Sequence, residues 1–250
     1  MIALATDFDG TIFFMNEDPS FRKEDLDAIH KFQKENNVLG LCSGRPIHSI
    51  EHFTKDYFTF DFMIASTGSY IVDHNGNVLL DCPMDMEDVL EICHSYIDTH
   101  VTFFHCNQFF TTYKKGLVED SFSHKVIQSL DDLNQYKTYQ MTIVCKDIEE
   151  ANAVCKSLNE NYNVSAFCNG NLIDIVHRGC SKGKGIQICK EYYNLKTIAG
   201  IGDGENDIPM FKAVDISYTF SYSLLTVQKQ ADCIVDHFYQ AVDQLLEKEK

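Results

Sequence analysis

The sequence predicts an α/β protein in which an open parallel sheet core is interrupted by an inserted antiparallel α+β domain. Two observations carry this. Strand and helix patterns alternate at both ends of the chain, as a parallel sheet with crossover helices requires. Between them the rhythm changes to helix–strand–strand units joined by turn residues, the pattern of an antiparallel sheet with helices on one face.

The elements follow in order. Residues 2–8 are a nearly unbroken apolar run that meets acid at its end, which reads as a strand buried on both faces. Over 20–34, Phe21, Leu26, Ile29 and Phe32 recur at helical spacing, with Ser20 as the expected N-cap and Asn36-Asn37 as the stop. Residues 38–42 are a second buried strand, and Pro46 suits the first turn of the helix after it. A third strand spans 62–65. The runs 70–72 and 78–80 flank Asn75-Gly76, a hairpin signal.

The rhythm then changes. A helix is expected over 86–97, aromatic strands over 101–106 and 108–113, and a polar, helical stretch after them. Strand 139–145 and helix 148–159 follow, then strands 164–167 and 172–176 joined by Asn169-Gly170-Asn171. Alternation resumes with helix 185–193, strand 197–201, helix 207–213, strand 216–218 and helix 239–248. Pro83 and Gly179 mark the two changes. The expected division is a discontinuous core, 1–81 and 177–250, around an insertion, 82–176.

Composition narrows the function. The chain has 250 residues, 44% of them hydrophobic, with a formal net charge of −16. Such a surface repels phosphate backbones, so no nucleic-acid partner is expected. No run approaches the ~18–20 apolar residues that cross a bilayer, so no membrane partner is expected either. Asp7 cuts short the apolar start, unlike a signal peptide, and the expected compartment is the cytoplasm. No two of the ten cysteines are separated by only two residues. Zinc ribbons and redox pairs need that spacing, so the thiols are expected to be reduced and structural.

The chemistry gathers at strand ends. The first strand runs into Thr6-Asp7-Phe8-Asp9-Gly10-Thr11. Open α/β sheets bind ligands beyond the carboxyl ends of their strands, and two carboxylates there are costly unless positive charge joins them. Ser43-Gly44 follows the second strand and offers a hydroxyl and amides to a phosphate oxygen. Lys182 opens Lys182-Gly-Lys-Gly-Ile186 and places an ammonium beside free helix amides. Gly202-Asp-Gly-Glu-Asn-Asp207 offers Asp203, Asn206 and Asp207. Together these supply carboxylates for a hard cation and donors for a phosphate. Gly200-Ile-Gly202-Asp-Gly204 is not a dinucleotide fingerprint, because Glu205 holds the last position, and residues 181–185 lack the order of a nucleotide P-loop.

These four motifs, in this order and with the insertion between the second and third, resemble the haloacid dehalogenase superfamily. Within it the chain is similar to the Cof-type phosphatases, which carry a large α+β cap. The resemblance spans nearly the whole chain. It rests on the D-F-D-G-T start, the strand ending S-G-R-P, the run from Cys180 to Ile186, and Gly202-Asp-Gly-Glu-Asn-Asp-Ile-Pro-Met210.

The resemblance implies a Rossmann-like core with an inserted α+β cap domain. It implies that Asp7 is the nucleophile of an aspartyl-phosphate mechanism and that Asp9 protonates the leaving oxygen and then activates water. Mg²⁺ would sit on the carboxylates of Asp7 and Asp203 and the backbone carbonyl of Asp9. Ser43, the Gly44 amide, Lys182 and Asn206 would hold the phosphate, with Asp207 orienting Lys182 or its loop. An acid at Asp9 favours phosphate esters, and the implied partner is a small phosphorylated metabolite, a sugar phosphate or phosphorylated cofactor. Two departures stand out: Thr67-Gly68-Ser69 where the family often has Asn-Gly-Ala, and Phe220-Ser-Tyr-Ser223 where a Met-Gly-Asn-Ala-like segment is usual.

Other residues read more plainly. His48 and His52 lie four apart on a helix with no third ligand nearby, so an exposed helix face is expected. Phe103, Phe104, Phe109, Phe110 and Tyr113 interleave with His105, Asn107 and Thr111, the pattern of a sheet with one packed face. His105, Asn107, Asn169, His177 and Arg178 are candidates to meet the leaving group, and Arg45 is expected either to reach phosphate or, the slightly favoured reading, to pair with a core carboxylate. Two alternatives stay open: a phosphomutase-like phosphoryl transferase and a non-catalytic phosphometabolite-binding protein. Oligomeric state is open as well.

Overall fold

A computed structural model of the chain describes residues 1–106, 110–112, 124–127 and 129–248. The chain begins with β1 (Ala3–Thr6), α1 (Lys23–Lys34), β2 (Val38–Cys42), α2 (Ile47–Thr54), β3 (Phe62–Ala65), β4 (Tyr70–Asp73) and β5 (Val78–Asp81). Next come α3 (Met86–Tyr96), β6 (Val101–Cys106), β7 (Phe110–Thr112), β8 (His124–Val126), β9 (Thr138–Val144), α4 (Ile148–Asn161), β10 (Val164–Asn169) and β11 (Leu172–His177). The last part is α5 (Lys182–Tyr192), β12 (Ile198–Ile201), α6 (Ile208–Phe211), β13 (Ile216–Phe220), α7 (Leu225–Gln228), β14 (Cys233–Val235) and α8 (Phe238–Lys248).

The first and last parts share one eight-stranded sheet, in the order β14-β13-β12-β1-β2-β3-β4-β5. It is parallel from β14 to β3, and the hairpin of β4 and β5 closes the edge antiparallel. Both faces of β1 are covered, which is why its sequence is apolar throughout. Ile2 and Leu4 join one core layer with Phe32 of α1 and Leu245 of α8. Ala3 and Ala5 join the opposite layer with Ile186 of α5 and Met210 of α6. The chain steps from β1 to β2 on one side, while β12 lies on the other. That reversal places the ends of β1, β2 and β12 around one crevice.

The middle part forms a second sheet, in the order β10-β11-β9-β6-β7-β8, antiparallel except for the pairing of β7 with β8. Its pleat separates two faces. Phe104, Met141, Ile143, Ile173 and Ile175 pack with residues of α3 and α4. Their neighbours point the other way: His105 stands opposite Gln140, and Phe103 and Asp174 each stand opposite Thr142.

Several expectations need correction. Helix α1 starts at Lys23 rather than Ser20, because the Ser20 hydroxyl donates to the Glu17 carbonyl within the preceding turn. The polar stretch after β7 contributes a strand, β8, and a 3₁₀ turn over Leu130–Gln135 capped by Ser129. The helix expected over 207–213 is one turn long, and it starts one residue later because Asp207 lies in a preceding 3₁₀ turn, where its carboxylate accepts the Gly204 N–H. Strand β14 and helix α7 are too short to have announced themselves. Asn107, Gln108, Phe109 and Tyr113, read as part of an aromatic strand, lie outside the described residues. Among the described residues no helix is long and apolar enough to cross a membrane.

Candidate active site

Asp7 follows β1 directly, and its N–H donates to the Ile201 carbonyl at 2.8 Å, extending the ladder toward β12. Gly10 has φ +73°, and a Cβ there would lie 2.6 Å from Asp203 Oδ2. Only glycine lets this turn close against Asp203. Thr11 Oγ1 donates to Asp203 Oδ1 at 3.4 Å, and Tyr222 Oη donates to the Gly10 carbonyl at 2.6 Å. The unusual Phe220–Ser223 segment thus supplies a phenol that clamps the turn after Asp9.

Lys182 opens α5 and is completely buried. Its Nζ donates to Asp7 Oδ1 at 2.6 Å and to Asp207 Oδ1 at 2.5 Å. Carboxylate oxygens of Asp7, Asp203 and Asp207 all lie within 4.8 Å of one another. One ammonium therefore faces three carboxylates. Burial raises the Asp7 carboxyl well above its ordinary range, and Asp207 and Asp203 add to this against the pull of Lys182. Burial and then Asp207 push Asp203 up to about 7. Burial alone would lower Lys182, but Asp207 and Asp7 outweigh it and hold the ammonium well above its usual range.

This excess negative charge and all-oxygen donor set fit a hard divalent cation such as Mg²⁺. The clustered carboxylates are those of Asp7, Asp203 and Asp207, whereas the Asp9 carboxylate turns toward Arg45. Arg45 Nε donates to Asp9 Oδ2 at 2.6 Å and Nη2 to Asp9 Oδ1 at 2.7 Å. The arginine finds a half-exposed carboxylate, not the core carboxylate expected from sequence. Its Nη1 donates to Ser49 Oγ at 3.1 Å.

Ser43 is buried at the end of β2, and its hydroxyl accepts the Arg45 N–H at 3.1 Å. Beside it, Ser66 and Thr67 adopt left-handed φ of +46° and +52°. Gly68 has φ +91°, and a Cβ there would strike the Ser181 carbonyl at 2.2 Å. The bend aims Thr67 Oγ1 at Gln140 Oε1, 2.8 Å away on β9, and so ties the first sheet to the second. Strained non-glycine residues of this kind persist only where surrounding contacts hold them.

A cavity of about 670 Å³ lies between the sheets. Asp7, Ser43 and Asp203 line it from one side, and His105, Gln140 and Asp174 from the other. That volume suits a small ligand. Burial lowers His105 to about 3, so its ring is neutral, and it bonds to the Gly44 backbone. Asp174 Oδ1 accepts from Gln140 Nε2 and Thr142 Oγ1, each at 3.0 Å. Burial raises Asp174 to about 6 against the hydrogen bond from Thr142.

Asn206 lines the same cavity and bonds Asp174, so it bridges toward the second sheet. Gly44, Asp9 and Asn169 also reach this cavity. Arg178 instead donates to the Asn159 and Tyr162 carbonyls, and Asn107 lies outside the described residues. His48 is half-buried and His52 exposed, and among the described residues no three-ligand cluster includes either. Sequence reasoning passed over Gln140, Thr142 and Asp174. The available signal was the lone acid in the apolar run Leu172-Ile-Asp-Ile-Val176.

Comparison with known proteins places this geometry in context. The model of a family described as haloacid dehalogenase-like hydrolase matches residues 4–242. An uncharacterised protein of Mycoplasma capricolum is 28% identical over 263 residues, covering 95% of this chain and 97% of the other. A glucosyl-3-phosphoglycerate/mannosyl-3-phosphoglycerate phosphatase of Persephonella marina is 22% identical over 233 residues, covering 86% and 83%. A solved structure from Bacteroides thetaiotaomicron, a phosphatase of the haloalkanoate enzyme superfamily, shares the fold. Its TM-score is 0.80 at 23% identity, with 97% and 94% of the two chains covered.

Proposed function

The chain belongs to the haloacid dehalogenase-like hydrolase family, and from that premise we propose that it is a Mg²⁺-dependent phosphatase of small phosphorylated metabolites. The reading rests on one observation above all. Asp7, held by the buried Lys182 beside Asp203 and Asp207, opens onto a cavity whose other wall is the second sheet. A buried carboxylate so placed is a nucleophile aimed at a small ester, and a covered site disfavours large phosphoproteins. A sugar phosphate or a phosphorylated cofactor fits this description, as does the named substrate class of the Persephonella relative.

In the proposed reaction an Asp7 oxygen attacks phosphorus and the bond to the ester oxygen breaks, leaving an aspartyl-phosphate. Asp9 gives its proton to the departing oxygen. It then takes a proton from water, which attacks the same phosphorus, frees inorganic phosphate and regenerates Asp7. Lys182, the Ser43 hydroxyl and the Gly44 amide hold the phosphoryl oxygens, with Asn206 opposite. Asp7 and Asp203, with the Asp9 carbonyl, would hold a Mg²⁺, whose charge would offset the repulsion between Asp7 and the phosphate dianion. The second sheet serves as a cap: Asp174, Gln140, Thr142 and neutral His105 offer acceptors and donors to the hydroxyls of a leaving group.

The test is phosphate release from a broad panel of small phosphate esters, with Mg²⁺ and with EDTA. Asp7→Asn should keep the fold and abolish turnover, and near-normal activity in that variant sinks the mechanism. The same panel separates the alternatives. A mutase returns an isomerised ester without free phosphate, and a binding protein retains the ester unchanged.

A further inference from the structure

Away from the carboxylate site, two segments linking the sheets bring a second set of ligand atoms together. Cys82 leaves the first sheet just after β5, while His177 ends β11 and Cys180 lies just before α5. One ligand atom from each of Cys82, His177 and Cys180 lies within 4.8 Å of the other two. We propose that these three residues bind a soft divalent cation of the Zn²⁺ type, which fastens the outgoing and returning segments to each other.

The geometry suits such an ion. Zinc bonds sulfur at about 2.3 Å and imidazole nitrogen at about 2.0–2.1 Å, so tetrahedral ligand atoms sit about 3.3–3.8 Å apart. The three ligand atoms, within 4.8 Å of one another, stand near that spacing. His177 Nδ1 lies 2.8 Å from the Arg178 carbonyl, an acceptor that only a protonated nitrogen can meet. In the neutral ring the lone pair is then on Nε2, the tautomer that a carbonyl-anchored metal ligand requires. Nε2 stands 3.8 Å from Asp85 Oδ2, so an exposed carboxylate lies beside the imidazole.

The backbone beneath the ligands is fixed. The Cys82 N–H donates to the Ser69 carbonyl at 3.0 Å, and the Cys180 N–H to the His177 carbonyl at 3.0 Å. Between the two later ligands, Gly179 has φ +88° and donates its N–H to Ser165 Oγ at 3.0 Å. The donor sets also divide the metals. Two thiolates and an imidazole select a soft ion, whereas the carboxylates around Lys182 select a hard one. None of the three residues has a part in the proposed hydrolysis. Lys182 lies two positions beyond Cys180, so an ion here would steady the segment that delivers it.

The experiment uses the whole chain, kept reduced, stripped with chelator and titrated with Co²⁺ in excess Mg²⁺. Cobalt on the carboxylate site has no sulfur ligand, so a thiolate-to-cobalt charge-transfer band reports only a thiol site. The expected result is a band that saturates at a single Co²⁺ per chain and is lost on adding Zn²⁺. The Cys82→Ser/Cys180→Ser double variant should lose the band. His177→Gln, which keeps both thiols, should weaken Co²⁺ binding tenfold or more, in line with the roughly 10–100-fold cost of disturbing a ligand shell. No band, a band that survives the double variant, or unchanged affinity in His177→Gln overturns the proposal. A Cys82–Cys180 disulfide in the protein as first isolated, before any reductant is added, overturns it as well.

Discussion

Arg45 holds Asp9 through two parallel hydrogen bonds, Nε to Oδ2 at 2.6 Å and Nη2 to Oδ1 at 2.7 Å. Both carboxylate oxygens are engaged, and each keeps a second lone pair that can face a leaving oxygen or a water. Arg45→Lys cannot reproduce the planar two-point grip. Its kcat should fall about tenfold with little change in KM, while Asp9→Asn should cost about 10²–10⁴-fold, the usual worth of a general acid–base. Esters with good leaving groups need no acid. The Asp9→Asn loss should therefore shrink for an aryl phosphate, and an equal loss on alkyl and aryl esters would remove Asp9 from the acid role.

Lys182 is the only cation bonded to Asp7 and Asp207 among the described residues. Lys182→Met leaves two buried carboxylates without their partner, and breaking a buried pair in this way costs about 3–5 kcal/mol. Urea unfolding of the metal-free variant should show that loss. Adding Asp207→Asn should recover part of it, because one of the stranded charges is gone. Wild-type stability in Lys182→Met would contradict the burial of this triad.

The raised carboxyls set a pH dependence with a definite sign. Burial holds Asp203 at about 7 and Asp174 at about 6, and raises Asp7 as well, all above the unfolded carboxylate value of about 3.9. Between those limits the native state binds more protons than the unfolded chain, so stability falls as pH rises. The metal-free protein should melt at a lower temperature at about pH 8 than at about pH 5. Saturating Mg²⁺ should narrow or reverse that difference, since the cation replaces the protons. Its affinity should climb as pH rises through Asp203's value of about 7, where the cation displaces the ligand proton. Calorimetry and Mg²⁺ titration at both pH values check this.

Asp174 tests the role of the second sheet. Asp174→Ala removes the acceptor shared by Gln140 and Thr142 without touching the carboxylates around Lys182. KM for a polyhydroxylated phosphate ester should rise about tenfold, the worth of one hydrogen bond of about 1.4 kcal/mol. kcat for a compact aryl phosphate should stay near wild type. A loss of kcat on both esters would mean that Asp174 serves the chemistry and not the leaving group.

Much of this was legible along the chain. Asp7, Ser43, Lys182 and Asp203 each sit at or just beyond an element end, where a short motif carries its own signal: a turn glycine, a helix start, a strand running into acid. The parallel core was legible because strands buried on both faces are apolar throughout, and the second sheet because its turns contain Asn and Gly. Local rules failed where a side chain had two local uses. Ser20 bonds backward to Glu17 instead of capping α1, and Asp207 accepts the Gly204 N–H within a 3₁₀ turn instead of opening α6.

By itself, then, the sequence determined the two-part architecture, the motifs at the crevice and their order, because hydrophobic period and turn chemistry act between neighbours. Tertiary structure alone decided that Arg45 meets Asp9, that Asp207 joins Asp7 and Asp203 around one ammonium, and that Gln140, Thr142 and Asp174 share a face over the cavity. It also decided that Cys82 meets His177 and Cys180. Each of these pairings depends on strand register or on the crossing of distant segments. Register and crossing are set by the burial of whole faces against one another, a free energy that no short stretch of residues contains.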